Sequence, residues 1–322
     1  MLPLTTAQVL EMLSKTIAAR TYQATHWGRN LSKIPVVHPR HQRGVTLIEL
    51  MVGISIGLLV VAVAMGALMV SRSVSGTVSD ASSIQQQAAY AMRVIGLQLR
   101  QAGSLRLNLD PGTTTTEATY LVPAVFETVA VAASSPVYSF DANKPELSLN
   151  GTTSPEVLTV GYRRYTEPVF TSASEQSMSR NCLGGPQTTS GDQRLESIFQ
   201  LNANELQCNG NGVGAQSIVQ NVANFQVRYL LQDNTTTPGT PTIKPVDAAG
   251  VGTNWAQVQA VEVCLVLYGI EPIDMPANSN YTDCNGTVVD MTALIGPRAR
   301  RMHIAFRNVF QLRSQGLIGS VL

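Results

Sequence analysis

The feature that most constrains this chain is an uncharged apolar run from Leu50 to Val70, in which Ser55 is the only hydroxyl. As a helix rising about 1.5 Å per residue, it spans about 30 Å, the hydrocarbon thickness of a bilayer. A secretory signal peptide has a shorter apolar region, about 7–15 residues, ending at a small-residue cleavage site. This run is longer and begins at an acid, Glu49. An ordinary single-pass anchor with an interfacial acid is the plainer alternative. The charge around the run is uneven. Residues 1–44 hold six basic side chains (Lys15, Arg20, Arg29, Lys33, Arg40, Arg43) and one acid, Glu11. Of the 22 basic and 21 acidic residues in the chain, that leaves 16 and 20 for the rest, a net of −4. A basic segment ahead of a membrane helix predicts a cytoplasmic N-terminus, with the bulk of the chain outside. A mildly acidic exterior argues against a large electrostatic footprint for nucleic acid.

The residues Gly44-Val45-Thr46-Leu47-Ile48-Glu49, ahead of this run and behind the basic flank RHQR, resemble the cleavage motif of the type IV prepilin superfamily. The resemblance implies that a membrane peptidase cuts after Gly44 and that Val45 becomes the methylated N-terminus. It also implies that Glu49 sets the subunit's register in a filament. The leader would then be 1–44. Residues 1–35 are long and mixed where leaders of that family are short and basic, so a start-site artefact is one reading of them, with VHPRHQRG as a compact leader.

Beyond the apolar run, Ser71 to Ala102 continues as an amphipathic helix. Val74, Val78, Ala81, Ile84, Ala88, Ala91, Ile95 and Leu99 recur at spacings of four and three, which makes one apolar stripe. Ser79, Asp80, Ser83, Gln86, Arg93 and Arg100 fall on the opposite face, and Gly103 is placed for a left-handed cap. The expected fold class is α+β: a helix over 45–103 (apolar 45–70, amphipathic 71–102) on a β-rich head over 104–322. Alternation predicts strands at 225–231, 257–268 and 301–312, with shorter ones at 157–162 and 195–201. Thr/Ser/Pro/Gly-rich stretches near 171–194 and 232–254 read as surface loops.

Four cysteines, Cys182, Cys208, Cys264 and Cys284, all follow the apolar run. In an oxidising compartment an even number reads as two disulfides, with three possible connectivities. Nearest-neighbour pairing, Cys182–Cys208 and Cys264–Cys284, is the reading adopted. Zinc is disfavoured because there is no CxxC pair and His303 is the only histidine past the apolar run. No nucleophile–base arrangement is visible, so the expectation is not an enzyme. His303 falls on the polar face of its strand and reads as solvated. Asp283, Asn285 and Asp290 could donate oxygens to calcium, but they lack a full ligand pattern and read as a turn tied by Cys284. No metal or other cofactor is expected. Arg298, Arg300 and Arg301 form a small basic patch without interleaved aromatics. Asn-x-Thr triplets at Asn150, Asn234, Asn280 and Asn285 follow from a Thr-rich composition.

Several blocks further resemble minor pilins of the PilW kind: QQQAAY, MRVIGLQLRQAG, IVQNVANFQVRYLLQDN, VQAVEVCLVLYG, YTDCNG and RARRMHIAFRNVFQLR. IVQNVANFQVRYLLQDN is also similar to a segment of J-type minor pseudopilins of type II secretion. The resemblance implies a structural subunit held in the inner membrane with a periplasmic head, which then moves to the pilus. Its implied role is to prime assembly at the tip, in support of twitching motility, adhesion or DNA uptake. The implied partners are the prepilin peptidase/methyltransferase, other minor pilins, the major pilin, the inner-membrane assembly platform and a tip adhesin. A type II pseudopilin and a membrane-anchored adhesin are the competing readings.

Overall fold

The computed structural model describes residues 44–108, 125–126, 130–134, 136–233 and 240–313. The proposed leader up to Arg43 and the Asn234 triplet lie outside them. The first element of the described chain is one long helix, α1 (Leu47–Gln101), of 55 residues. By length and composition it can cross a membrane, with mean hydropathy 2.5 and none of its most apolar stretch buried. Up to Ala64 the described chain is this apolar helix alone; the remainder of α1 and the strands form a second compact unit from Met65 onward.

In that second unit, one face of α1 is buried: Asp80, Ile84, Ala88, Ala91, Ile95 and Leu99. The periodicity is the predicted one, but its start is not. Val74 and Val78 are 58% and 63% exposed. Asp80, assigned by pattern to the polar face, is instead 6% exposed and leads the buried stripe. The cause is a backbone partner: Asp80 Oδ2 accepts from the Glu271 N–H at 2.8 Å. The carboxylate presses so closely on Gly269 that no Cβ fits there. A buried acid is tolerable when such a donor satisfies it. At the other end, Gly103 (φ 68°) closes α1 in the left-handed region and donates to the Gly161 carbonyl at 2.9 Å.

Two antiparallel sheets follow a minimal pair, β1 (Leu107–Asn108) with β2 (Val125–Phe126). The first is a meander of β3 (Leu149–Thr153), β4 (Glu156–Arg163), β5 (Arg194–Asn202), β6 (Glu205–Gly210) and β7 (Ala215–Val219) in sequence order. The second contains β8 (Val222–Asp233), β9 (Thr242–Val246), β10 (Val258–Tyr268) and β13 (His303–Gln311), in the order β13-β10-β8-β9. Between β9 and β10 lies the short helix α2 (Ala248–Val251). A small hairpin, β11 (Asn280–Thr282) with β12 (Val288–Asp290), sits between β10 and β13. The stretch 232–254, read from sequence as loop, therefore contains an edge strand and a helical turn. β9 carries Lys244 and Pro245, which suit an unpaired edge and hide a strand from pattern reading.

The alternation predicted for β8 is the observed one, with Phe225, Val227, Tyr229 and Leu231 buried. They join Val261, Val263, Leu265 and Leu267 of β10 and the α1 stripe in one core. β10 is buried on its other face too. Cys264 and Val266 form a second, smaller core with Tyr281 and Cys284. Gly96 is the point of closest approach between α1 and β13, since a Cβ there would lie 2.5 Å from the Phe310 ring.

Candidate functional site

The sequence-predicted processing site is at the head of α1. Gly44, Val45 and Thr46 precede the helix and are exposed, as is Glu49. Thr46 and Glu49 form a capping box: the Thr46 N–H and Oγ1–H donate to Glu49 Oε2 at 3.0 and 2.8 Å, and the Glu49 N–H donates to Thr46 Oγ1 at 3.3 Å. Two otherwise orphaned helix-start donors are thereby satisfied. Glu49 thus already has a partner within its own chain. The resemblance assigns Glu49 only the setting of register in a filament, although T-x-x-E before an apolar run is a capping signature legible in sequence.

From Leu47 to Val70 every described apolar side chain is exposed. The single hydroxyl, Ser55, donates to the Met51 carbonyl at 2.8 Å and so presents no free donor to an apolar medium. Beyond Glu49 the result is an apolar cylinder with its one side-chain hydroxyl satisfied internally, suited to lipid or to helix–helix packing.

The head fixes the lower half of α1 through polar groups as well as the core. Gln98, 6% exposed, accepts from Ser197 Oγ at 3.0 Å and from the Tyr162 hydroxyl at 3.4 Å. Tyr162 also donates to the Arg180 carbonyl at 2.5 Å, and burial pushes its pKa up. Arg180 belongs to the 171–194 stretch, which is fastened rather than free. Arg164 of the segment after β4 donates to the carbonyls of Gln187 and Thr188 at 2.8 and 3.0 Å. Asn181 Oδ1 accepts from the Leu183 and Gly185 N–H groups, each at 3.0 Å. The Cys182–Cys208 disulfide ties the same stretch to β6.

The second disulfide, Cys264–Cys284, ties β10 to the turn between β11 and β12. Among the described residues no cysteine is free. Asp283, Asn285 and Asp290, the sequence candidates for calcium, are each spent locally. Asp283 accepts from Asn224 Nδ2 at 2.9 Å and from the Cys284 N–H at 2.8 Å. Asn285 accepts from the Thr287 N–H at 3.2 Å, and Asp290 caps a helical turn through the Thr292 N–H at 2.8 Å. The described residues contain no group of three or more His, Cys, Asp or Glu side chains placed to hold a metal.

His303 corrects the sequence reading. It is 5% exposed and stacks between Tyr268 and Tyr281, with ring centroids 5.7 and 4.9 Å away. Its Nδ1 lies 2.9 Å from the Arg301 carbonyl and its Nε2 lies 3.4 Å from Arg298 Nε. A neutral ring that donates from Nδ1 and accepts at Nε2 satisfies both. Burial lowers its pKa, opposed by the backbone hydrogen bond and aided by the Arg298 charge. The face that alternation marks as polar is covered by the β11–β12 hairpin, which no pattern within β13 announces. Two arginines of the Arg298, Arg300 and Arg301 patch have partners in the head. Arg298 also donates to the Tyr281 hydroxyl at 2.9 Å, and Arg300 pairs with Asp274.

Residues 39–65 match the model of the prokaryotic N-terminal methylation motif. Residues 188–314, spanning β5 to β13, match the family model described as Type IV Pilus-assembly protein W. Among solved structures, a type IV-like pilin from Thermus thermophilus aligns over 71% of this chain and 95% of its own, at 11% identity and a TM-score of 0.35. Curated protein sequences give no match. The methylation motif at the head of a long helix, with antiparallel sheets behind it, defines a type IV pilin-like protein. Within that class the chain resembles PilW.

Proposed function

We propose that this chain is a minor pilin of the PilW kind, a non-enzymatic subunit that helps start pilus assembly. The observation that carries the reading is the Gly44-to-Glu49 motif running directly into an apolar helix half with no side chain buried. Such a surface needs lipid or other helices around it. In this reading the apolar half of α1 stores the precursor in the inner membrane, with the head in the periplasm. Cleavage after Gly44 frees the Val45 amine, and the helix then moves into the core of a filament. The disulfides suit an oxidising compartment. The match over β5 to β13 supports a PilW-like head, and with it a place among other minor pilins at the tip, serving motility, adhesion or DNA uptake.

The new Val45 ammonium and the Glu49 carboxylate are the only ionised groups at the head of the helix. In a filament core, each needs an opposite charge to offset its burial. Glu49 would then exchange its Thr46 donors for the amine of its own or a neighbouring subunit. The test is Glu49→Leu at matched membrane abundance. Leu50 to Val70 already spans a bilayer, so insertion and cleavage are expected to be normal while pilus number falls. Undiminished piliation would show that the acid takes no part in assembly.

A further inference from the structure

The head exposes two complementary features on opposite flanks of α1. The first is a finger. Residues 167–176 form a loop closed by paired backbone bonds between Glu167 and Gln176, both 2.9 Å, and by Thr166 Oγ1 on Glu175 at 2.8 Å. At its tip Phe170 is fully exposed, with Tyr165 and Met178 at its base also exposed. From Tyr165 to Met178 the only charged residues are Glu167 and Glu175. Phe170, Tyr165 and Met178 together expose apolar surface on a braced loop, the kind of surface that can take up a partner.

The second feature is a groove of about 550 Å³ where α1 meets β13. Its floor is Met92, Gly96 and Phe310, and its rim carries Arg93, Arg100 and Asn308. It exists because Gly96 has no side chain to fill it. From Ser71 to Gln101 the only acid is Asp80, which is buried, so the solvent face of this part of α1 is purely basic. Leu97, 47% exposed, separates the two features: it lines this groove on one side and the cleft beneath Tyr165 and Met178 on the other.

We infer that the Phe170 finger of one copy of this chain docks in the Arg93/Arg100 groove of a second copy. An aromatic tip flanked by two carboxylates meets an apolar floor flanked by two guanidinium groups, so apolar and charged parts match together. Because finger and groove lie on different flanks of one helix, the contact is heterologous: each copy that gives a finger keeps its own groove open for the next. The inference stands on the head alone and does not depend on the proposed role in pilus assembly.

The experiment uses the full chain in its membrane, with p-benzoylphenylalanine replacing Phe170 and ultraviolet cross-linking. The expected product is a homodimer-sized adduct whose linked peptide falls within 89–100 or 308–310 of the second copy. Arg93→Glu with Arg100→Glu should cut that adduct about tenfold, as reversal turns two exposed attractions into repulsions. Adding Glu167→Arg and Glu175→Arg to the finger copy should restore it. Intact disulfides in each variant verify folding. Adducts only with a different protein, adducts mapping to another face, or yields indifferent to charge reversal would each overturn the inference.

Discussion

At Gly161 a single hydrogen atom decides whether β4 can lie against the turn that ends at Leu147. Its carbonyl receives the capping Gly103 N–H, and a Cβ on it would run into the backbone carbonyl of Leu147. A main-chain atom cannot swing aside, so Gly161→Ala should destabilise the protein by about 1–3 kcal/mol. Urea unfolding followed by tryptophan fluorescence checks this; an unchanged midpoint would mean that the sheet shifts freely. His303 supplies a second residue-scale prediction. Its folded pKa lies below the unfolded value of about 6.5, so the native state binds fewer protons than the unfolded chain. Its contribution is therefore complete above that pH and declines as pH falls through about 6.5. Arg298 faces Nε2 and disfavours the added proton, while Asp283 favours it. The urea midpoint should drop from pH 7.5 to pH 5.5 in the wild type, and the drop should shrink in His303→Phe. Equal pH slopes in the two proteins would remove His303 from the account.

Individual elements differ in how plainly the sequence announces them. The apolar half of α1 is legible because uncharged length admits few alternatives, and β8 because alternation over 225–231 matches a strand with one wet face. Asp80 and His303 both defeat pattern reading for the same reason. Each is polar, and each is buried by a segment distant in sequence, Glu271 for one and the β11–β12 hairpin for the other. The capping box of Thr46 and Glu49 was present in the sequence as a spacing and is a local feature. The 171–194 stretch shows that a loop composition need not mean a loose loop. Arg164, Asn181 and the Cys182–Cys208 bond fasten it from three sides. Replacing both cysteines by serine opens a closure of 26 residues, which the chain-entropy model values at about 3–4 kcal/mol. Hydrogen exchange should then rise across 171–194 first, and protection unchanged from wild type would show that the polar anchors suffice.

For the whole molecule, the division of labour follows from which surfaces are buried. Met65 onward closes its own core around the Ile84-to-Leu99 stripe, whereas the apolar part of α1 before it leaves its side chains without cover. An apolar surface of this kind suits lipid or the packing of other helices around it. The central claim is therefore that Gly44 is the last residue removed and Val45 the first retained. Mass spectrometry of the N-terminal peptide, taken from full-length protein expressed with its prepilin peptidase, tests it most directly. The account predicts a mature chain that begins at N-methylated Val45, and accumulation of uncut precursor in Gly44→Ala. A mature chain beginning at any other residue, or one cut normally in Gly44→Ala, would contradict it.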